Sequence, residues 1–75
     1  MNTRRNIKTD QLARYPIGTR VRLVKMDDKQ APPIGTKGTV HGVDDIGSLL
    51  VRWDNGSRLN VLYGIDKVEI VEREQ

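Results

Sequence analysis

Two pairs of adjacent carboxylates, Asp27-Asp28 and Asp44-Asp45, are the residues best suited by type to acid–base or metal chemistry. Catalysis by paired carboxylates needs two groups that face one site, whereas adjacent side chains of a strand point to opposite faces of the sheet. Neither pair has the Asp-x-Asp-x-Asp-Gly spacing of a calcium-binding loop. We therefore expect solvated loop carboxylates that pair with basic side chains, and no metal site.

The single histidine, His41, is the other group that could transfer protons near neutral pH. The chain has no cysteine, and Ser48 and Ser57 flank turns instead of standing in a nucleophile motif. Because His41 follows the core-facing Val40 in an alternating segment, its side chain is expected to face solvent. We therefore expect that the protein is not an enzyme and uses no cofactor.

Four arginines share the outward phase of the predicted strands: Arg20, Arg22, Arg52 and Arg58. Guanidinium groups bind phosphate or carboxylate through two parallel hydrogen bonds, so these residues are a candidate anion-binding surface. The alternative is a solvated face on which they pair with Glu69, Glu72 or the aspartates. The choice depends on whether the first strand lies beside the hairpin that carries Arg52 and Arg58.

The longest irregular stretch, residues 26–33, supplies further candidate binding residues, namely Asp27, Asp28 and Lys29. Loops on a rigid scaffold often carry function, although a plain connection is the alternative. Trp53 lies on the core-facing phase and is predicted to belong to the core or its rim, with an exposed contact as the alternative. Trp53, Tyr15 and Tyr63 are too few and too dispersed for a polyproline groove, a methyl-lysine cage or a base-stacking platform.

The elements that must position these residues belong to one small domain of 75 residues, of which 36% are hydrophobic and 31% charged. Alternating apolar and polar positions predict five strands at residues 19–25, 37–44, 48–53, 57–62 and 67–71. The fold class is all-β, a small five-stranded SH3-like barrel formed by residues 15–75. The tetrapeptide Pro-Ile-Gly-Thr occurs at residues 16–19 and 33–36, and we expect each copy to form a type I turn with Pro second and Gly fourth.

The turn at residues 54–56 determines the register of the predicted hairpin. A three-residue loop with Gly56 in the left-handed region pairs Leu49 with Val61 and Val51 with Leu59, which keeps both apolar faces intact. The same register places Arg52 opposite Arg58, a mildly destabilising pair of like charges.

Residues 1–14 form a basic arm, predicted to be disordered or to contain one helical turn that Thr9 caps. The formal net charge of +3 and the isoelectric point near 9.6 come from this arm. The Arg4-Arg5 pair is not followed by the apolar segment of an export signal, and no apolar run is long enough to span a membrane. A cytoplasmic protein is expected.

Five blocks of sequence occur together in order and carry a family resemblance. They are residues 15–21 (YPIGTRV), 26–28 (MDD), 31–40 (APPIGTKGTV), 43–47 (VDDIG) and 51–56 (VRWDNG). Over residues 15–71 the chain closely resembles the domain-of-unknown-function family 4314, which consists of small bacterial and phage-borne domains. The resemblance implies an SH3-like barrel, and residues 35–40 and 51–56 are also similar to parts of KOW and Tudor modules. It implies no activity and no catalytic residues.

These features together predict a non-enzymatic binding module. A protein partner is favoured because acidic and basic residues balance over residues 15–75 and aromatics are scarce. The alternative is a KOW-like module that binds nucleic-acid phosphates through the arginines and the basic arm; no membrane partner is expected. The candidate binding surface comprises Arg20, Arg22, Arg52, Arg58, Asp27, Asp28, Lys29 and Trp53.

Overall fold

The computed structural model describes residues 6–71. One helix, α1 (Ile7–Arg14), precedes four strands: β1 (Arg20–Lys25), β2 (Lys37–Val43), β3 (Leu49–Trp53) and β4 (Lys67–Ile70). The strands form one antiparallel sheet in the order β3-β2-β1-β4. The predicted mostly-β fold is therefore confirmed, with four of the five predicted strands present in the described part of the chain.

The segment predicted as the fourth of the five strands, residues 57–62, forms backbone hydrogen bonds with β3 only through Ser57 and Val61. Leu49 and Val61 exchange two backbone hydrogen bonds of 2.9 Å, and the Trp53 N–H donates to the Ser57 carbonyl at 3.1 Å. Between them, the carbonyl of Leu59 accepts from the Trp53 indole N–H at 2.9 Å. The predicted Leu49–Val61 pairing is confirmed. The predicted ladder through Val51–Leu59 is not formed, because side chains occupy the backbone groups of Leu59.

The turn at residues 54–56 precedes this segment, and the Gly56 φ of +93° agrees with the three-residue loop predicted for it. Without a continuous ladder beyond this turn, Arg52 and Arg58 do not stand opposite one another in paired strands. The predicted repulsion across a strand pair is thus removed by the irregular path of residues 57–60.

The two Pro-Ile-Gly-Thr segments form type II turns and not the predicted type I turns. In each, the Thr N–H donates to the Pro carbonyl at 3.0 Å, which makes Pro the first and Gly the third residue of the turn. Gly18 and Gly35 have φ of +96° and +93°, the conformation that the third position of a type II turn requires. Each Thr hydroxyl also donates to the same Pro carbonyl at 2.6 Å.

These twin turns fix the two central strands of the sheet. Gly18 N–H donates to the Val40 carbonyl at 2.7 Å, and Gly35 N–H donates to the Leu23 carbonyl at 2.8 Å. In return, the Val40 and Leu23 N–H groups donate to the carbonyls of Thr19 and Thr36, both at 2.9 Å. Each repeat thus precedes one central strand and bonds to the middle of the other.

The inward face of the sheet and Val61 form the core. The buried apolar residues are Val21, Leu23, Val40, Val43, Leu49, Val51, Trp53 and Val61. Ile70 lies on the same face as its register partner Val21, yet its side chain is 53% exposed. Strand alternation predicts a core position for Ile70. Because β4 is an edge strand, however, Ile70 lies at the boundary between the core and solvent.

Helix α1 begins three residues before the predicted turn, because Asn6 and not Thr9 is its cap. The Asn6 carboxamide oxygen accepts from the Thr9 N–H at 3.1 Å. Gln11 is buried and its side-chain N–H donates to the Gly47 carbonyl at 3.1 Å, while Leu12 packs against the core. Residues 7–14 are therefore a helix that contacts the sheet, and residues 1–5 of the predicted arm lie outside the described residues. Within residues 6–71, no helix has the length and apolarity to cross a bilayer.

Candidate binding surfaces

Strand order answers the question left open by the four arginines. Strand β2 lies between β1 and β3, so the strand with Arg20 and Arg22 does not adjoin the strand with Arg52. Arg20, Thr39 and Arg52 occupy one row across the three strands. With two inter-strand spacings, the Arg20 and Arg52 backbones are roughly 10 Å apart.

Arg20 is neutralised by a neighbouring carboxylate. Its two terminal nitrogens donate to the two carboxylate oxygens of Asp54 at 2.9 and 2.7 Å, and one of them also donates to the Thr39 hydroxyl at 3.0 Å. The hydrogen bonds from Arg20 lower the pKa of Asp54; desolvation opposes this effect, and the positive charges of Arg20 and Lys37 add to it. The same hydrogen bonds raise the pKa of Arg20. This bidentate geometry is the one by which arginine would hold a phosphate, and an internal carboxylate already occupies it.

Arg22 is used in the same way. Its Nε forms an ion pair with Glu69, the residue opposite it on β4, at 2.7 Å from a carboxylate oxygen. Arg52 and Arg58 are exposed and make no ion pair within residues 6–71. The predicted alternative of a solvated face with ion pairs is therefore correct for Arg20 and Arg22. Arg52 and Arg58 remain available to bind an anion.

The other candidate catalytic groups occupy structural positions. Asp44 accepts from the N–H groups of Ile46 and Ser48 at 3.1 and 2.8 Å, and Asp45 pairs with Lys8 at 3.4 Å. His41 is exposed, at the bulge where the register between β2 and β3 shifts. No group of three or more metal-ligating side chains is gathered in the described part of the chain.

The candidate residues of the loop 26–33 are only partly brought together. Asp28 accepts from the Gln30 N–H at 2.7 Å, which makes it a turn-forming carboxylate. Asp27 and Asp28 border a cavity of about 240 Å³ that is completed by Met26, Leu59, Asn60, Leu62, Ile65 and Asp66. Lys29 is exposed and does not line this cavity.

Trp53 does not belong to the binding surface on which it was placed. Its side chain is only 3% exposed, and its one polar atom is satisfied by the Leu59 carbonyl. The predicted core position is correct, and the alternative of an exposed contact is wrong. The indole positions residues 57–60, so its effect on any site is structural.

A larger cavity of about 320 Å³ lies where the two ends of the open sheet approach each other. We call it the seam cavity; residues from both edge strands line it, Leu49 on β3 with its bridge partner Val61, and Lys67 and Val68 on β4. Gln11, Arg14 and Tyr15 border it on the side of the helix. Its volume is at the low end of the roughly 300–1,000 Å³ typical of ligand pockets.

Residues 62–66 form a compact turn between the two cavities; Leu62, Tyr63, Gly64 and Asp66 line the seam cavity, and Ile65 lines the smaller one. The Leu62 carbonyl accepts from the N–H groups of Ile65 and Asp66 at 3.1 and 3.0 Å, and the Leu62 N–H donates to the Asp66 carboxylate at 2.8 Å. These backbone groups therefore form their hydrogen bonds within the turn. The side chains of Leu62, Tyr63 and Ile65 are exposed to solvent, that of Tyr63 at 55%. Leu62 lines both cavities and so separates the seam cavity from the smaller one beside Asp27 and Asp28.

The charges around the two cavities differ in sign. Arg14 and Lys67 line the seam cavity together with Asp66, whose carboxylate is already bonded to a backbone N–H. The Arg14 guanidinium lies 5.6 Å from the centre of the Tyr15 ring, within cation–π range. Of the described residues, Asp27, Asp28 and Asp66 line the smaller cavity and no basic residue does.

A family model described as "Domain of unknown function (DUF4314)" matches residues 6–71. The chain belongs to this family. No curated protein and no solved structure matches it.

The DUF4314 match begins at the cap of helix α1, nine residues before the predicted resemblance starts at Tyr15. The helix therefore belongs to the family domain, in agreement with its packing through Gln11 and Leu12.

Sequence reasoning missed the residues of the DUF4314 domain that border the seam cavity. Leu62 was assigned to a strand, and Arg14 was grouped with a basic arm instead of with Tyr15. One signal was available in the segment Leu62-Tyr63-Gly64-Ile65, where three large apolar residues surround a glycine and break the alternation of a strand. Apolar side chains on a turn that contains glycine are exposed to solvent unless another part of the protein or a binding partner covers them.

Proposed function

We propose that this DUF4314 domain is a non-enzymatic binding module that receives a segment of a partner protein at the seam cavity. The observation that carries the proposal is the exposure of Leu62 and Tyr63, which line the seam cavity, next to the exposed Ile65 of the same turn. Clustered exposed apolar side chains with polar neighbours are typical of interaction sites, and tyrosine is enriched at the centre of interfaces.

The proposal includes a finer description of the fold. We interpret the sheet as an SH3-like barrel that is open along the seam cavity, which is supported by the contribution of both edge strands to one cavity. Among the described residues, the lining of the seam cavity offers apolar side chains together with the charged residues Arg14, Lys67 and Asp66, which supports the binding of a peptide segment. We also place the protein in the cytoplasm of a bacterium or phage-infected cell, as the sequence predicts.

Photo-crosslinking tests this function. A photoreactive phenylalanine analogue replaces Tyr63 in one chain and Ile17 in a control chain, since both residues are exposed on turns but only Tyr63 borders the cavity. Crosslinks from position 63 should map to one contiguous segment of a protein and disappear when Leu62→Glu is added. Equal crosslinking from both positions, or crosslinks that survive Leu62→Glu, would refute the proposal.

A KOW-like nucleic-acid module is the second candidate, and it is favoured by the exposed Arg52 and Arg58, which make no ion pair within residues 6–71. Its test is an amide NMR titration with a short DNA duplex and an RNA strand at near-physiological salt. Saturable shifts around the two arginines, lost in the double variant Arg52→Ser/Arg58→Ser, would establish this function. The proposed protein-binding function predicts no saturable shift there.

A further inference from the structure

Strand β4 has one edge that no strand of residues 6–71 covers. Its partner is β1 alone, and the Val71 N–H donates to the Arg20 carbonyl at 2.8 Å. Successive residues of an antiparallel strand direct their backbone groups to opposite sides. Glu69 and Val71 therefore bond to β1, while the N–H and C=O groups of Val68 and Ile70 point to the open edge.

The inward side chains of β4, Val68 and Ile70, are apolar but only partly covered, as expected if a further strand can pair with this edge. Val68 packs against the core and lines the seam cavity, and Ile70 faces the same side. Val21, the register partner of Ile70, is fully buried because strands cover it on both sides, whereas Ile70 has a neighbour on one side only. A strand added at the open edge would cover the exposed part of Ile70.

The seam cavity adjoins this edge and carries an excess of positive charge. A residue placed directly opposite Val68 on an added strand would point to the same face as Val68, which is the face of the cavity. Arg14 and Lys67 line that space, and the opposing Asp66 carboxylate is held by the Leu62 N–H. An acidic side chain therefore suits this position better than a basic one.

We propose that the open edge of β4 receives an extended acidic segment of a partner protein as an added strand. The segment's backbone bonds to Val68 and Ile70, and a Glu or Asp side chain opposite Val68 enters the seam cavity beside Arg14. Backbone hydrogen bonds would supply affinity and the cavity would supply specificity, as in other strand-addition complexes. This inference rests on the proposed function and adds the mode of binding and the chemistry of the partner.

The probe is a phage-displayed library of linear seven-residue peptides, selected against the full chain with the Leu62→Glu variant as a counter-target. The selected peptides should alternate β-branched residues with outward polar ones and carry one acidic residue at a fixed position. Replacing that acidic residue by its amide should weaken binding about 3- to 10-fold. The variant Arg14→Gln should abolish this difference, whereas Arg52→Gln, on the outward face, should preserve it.

The mode of binding is tested on the backbone of β4 itself. A chemically synthesised chain with an N-methyl group on Ile70 loses one edge N–H and places a methyl group where the added strand must lie. Its affinity for the selected peptides should fall about 10-fold or more, while Ile70→Ala, which keeps the N–H, should lose less. In the unmodified chain, the amide protons of Val68 and Ile70 should exchange rapidly when free and become protected in the complex.

Three results would overturn the inference, and they are distinguishable. Failure to enrich any peptide over the Leu62→Glu counter-target would overturn the proposed function together with the strand addition. Peptides that bind the N-methylated chain equally well and leave the Val68 and Ile70 amides unprotected would overturn strand addition alone. A dimer in sedimentation equilibrium that the N-methyl group abolishes would identify a second copy of this chain as the occupant.

Discussion

The contact between helix α1 and the sheet can be tested at Gln11 with a substitution that changes little else. Gln11 is buried, and its side-chain N–H donates to the Gly47 carbonyl at 3.1 Å across 36 residues of sequence. Methionine has a similar length and a similar helix propensity but no donor. The variant Gln11→Met therefore removes one long-range hydrogen bond and leaves the carbonyl of a buried glycine without that partner.

The expected loss of stability in Gln11→Met follows from the lost hydrogen bond and from the burial of the methionine side chain. An intramolecular hydrogen bond contributes a net ~0.5–1.5 kcal/mol, and a buried acceptor left unsatisfied costs ~1–3 kcal/mol. Burial of the apolar methionine side chain offsets part of this loss. We expect Gln11→Met to lower the free energy of unfolding by about 1–2 kcal/mol, which for a domain of this size lowers the melting temperature by roughly 5–15 °C.

Thermal and urea unfolding, followed by circular dichroism, measure this change. The matched control is Ala13→Met, an exposed position of the same helix, which should shift stability by no more than about 0.5 kcal/mol. Amide exchange should also accelerate across residues 10–14 in Gln11→Met and not in the control. A Gln11→Met chain as stable as the wild type would refute the reasoning, because the helix would then be held without this hydrogen bond.

Three further predictions concern charges and turns. Arg20 lowers the pKa of Asp54 below its unfolded value, so the stability from this pair is present above about pH 4 and is lost as pH falls through the folded pKa. Because the pair is solvent-exposed, Asp54→Asn should lower the free energy of unfolding by at most ~1 kcal/mol at pH 7, measured by urea unfolding. The variant should also show a smaller difference in stability between pH 7 and pH 3. Gly18→Ala and Gly35→Ala should each cost ~1–2 kcal/mol in the same assay, while D-alanine at either position should be tolerated, because both φ angles are positive. Arg58→Thr should change stability by less than about 0.5 kcal/mol, since Arg58 makes no ion pair within residues 6–71; a larger loss would reveal a contact beyond that range.

Local patterns in the sequence predicted most of the sheet correctly. Alternation determines which side chains of a strand share a face, so the buried face of β1 and β3 and the turn at Gly56 were predicted with nearly correct bounds. Alternation does not determine which strands lie at an edge. Ile70 has the same pattern as a core residue, and only the strand order explains its exposure.

The predicted fourth strand, residues 57–62, does not form a continuous strand because a side chain competes with the backbone. The Leu59 carbonyl bonds to the Trp53 indole instead of joining a ladder with Val51. Helix α1 was underestimated for a related reason, since an eight-residue helix is marginal on its own and is stabilised here by contacts with residues far along the chain, such as Gly47. Long-range contacts of this kind leave no local trace in the sequence.

The candidate site was predicted only in part because charge identity does not reveal pairing. The four arginines were correctly placed facing outward, but sequence does not show that Asp54 lies beside Arg20 or that Glu69 lies opposite Arg22. Each pairing depends on the order and register of strands that are distant in the sequence. Of the four arginines predicted to form an anion-binding surface, Arg20 and Arg22 are therefore neutralised by carboxylates of the same domain.

Helix α1 links the fold to the proposed site, and this link has a thermodynamic consequence. Gln11 anchors the helix to Gly47, and the last turn of the same helix brings Arg14 over Tyr15 at the border of the seam cavity. A ligand that contacts Arg14 binds only the docked helix, so its binding free energy adds to the stability of docking by RT ln(1 + [L]/Kd). At a peptide concentration of 100 Kd this amounts to about 2.7 kcal/mol, which exceeds the expected cost of Gln11→Met. A peptide selected for the seam cavity should therefore slow the amide exchange that Gln11→Met accelerates in residues 10–14, and a peptide that leaves it unchanged does not bind at the helix.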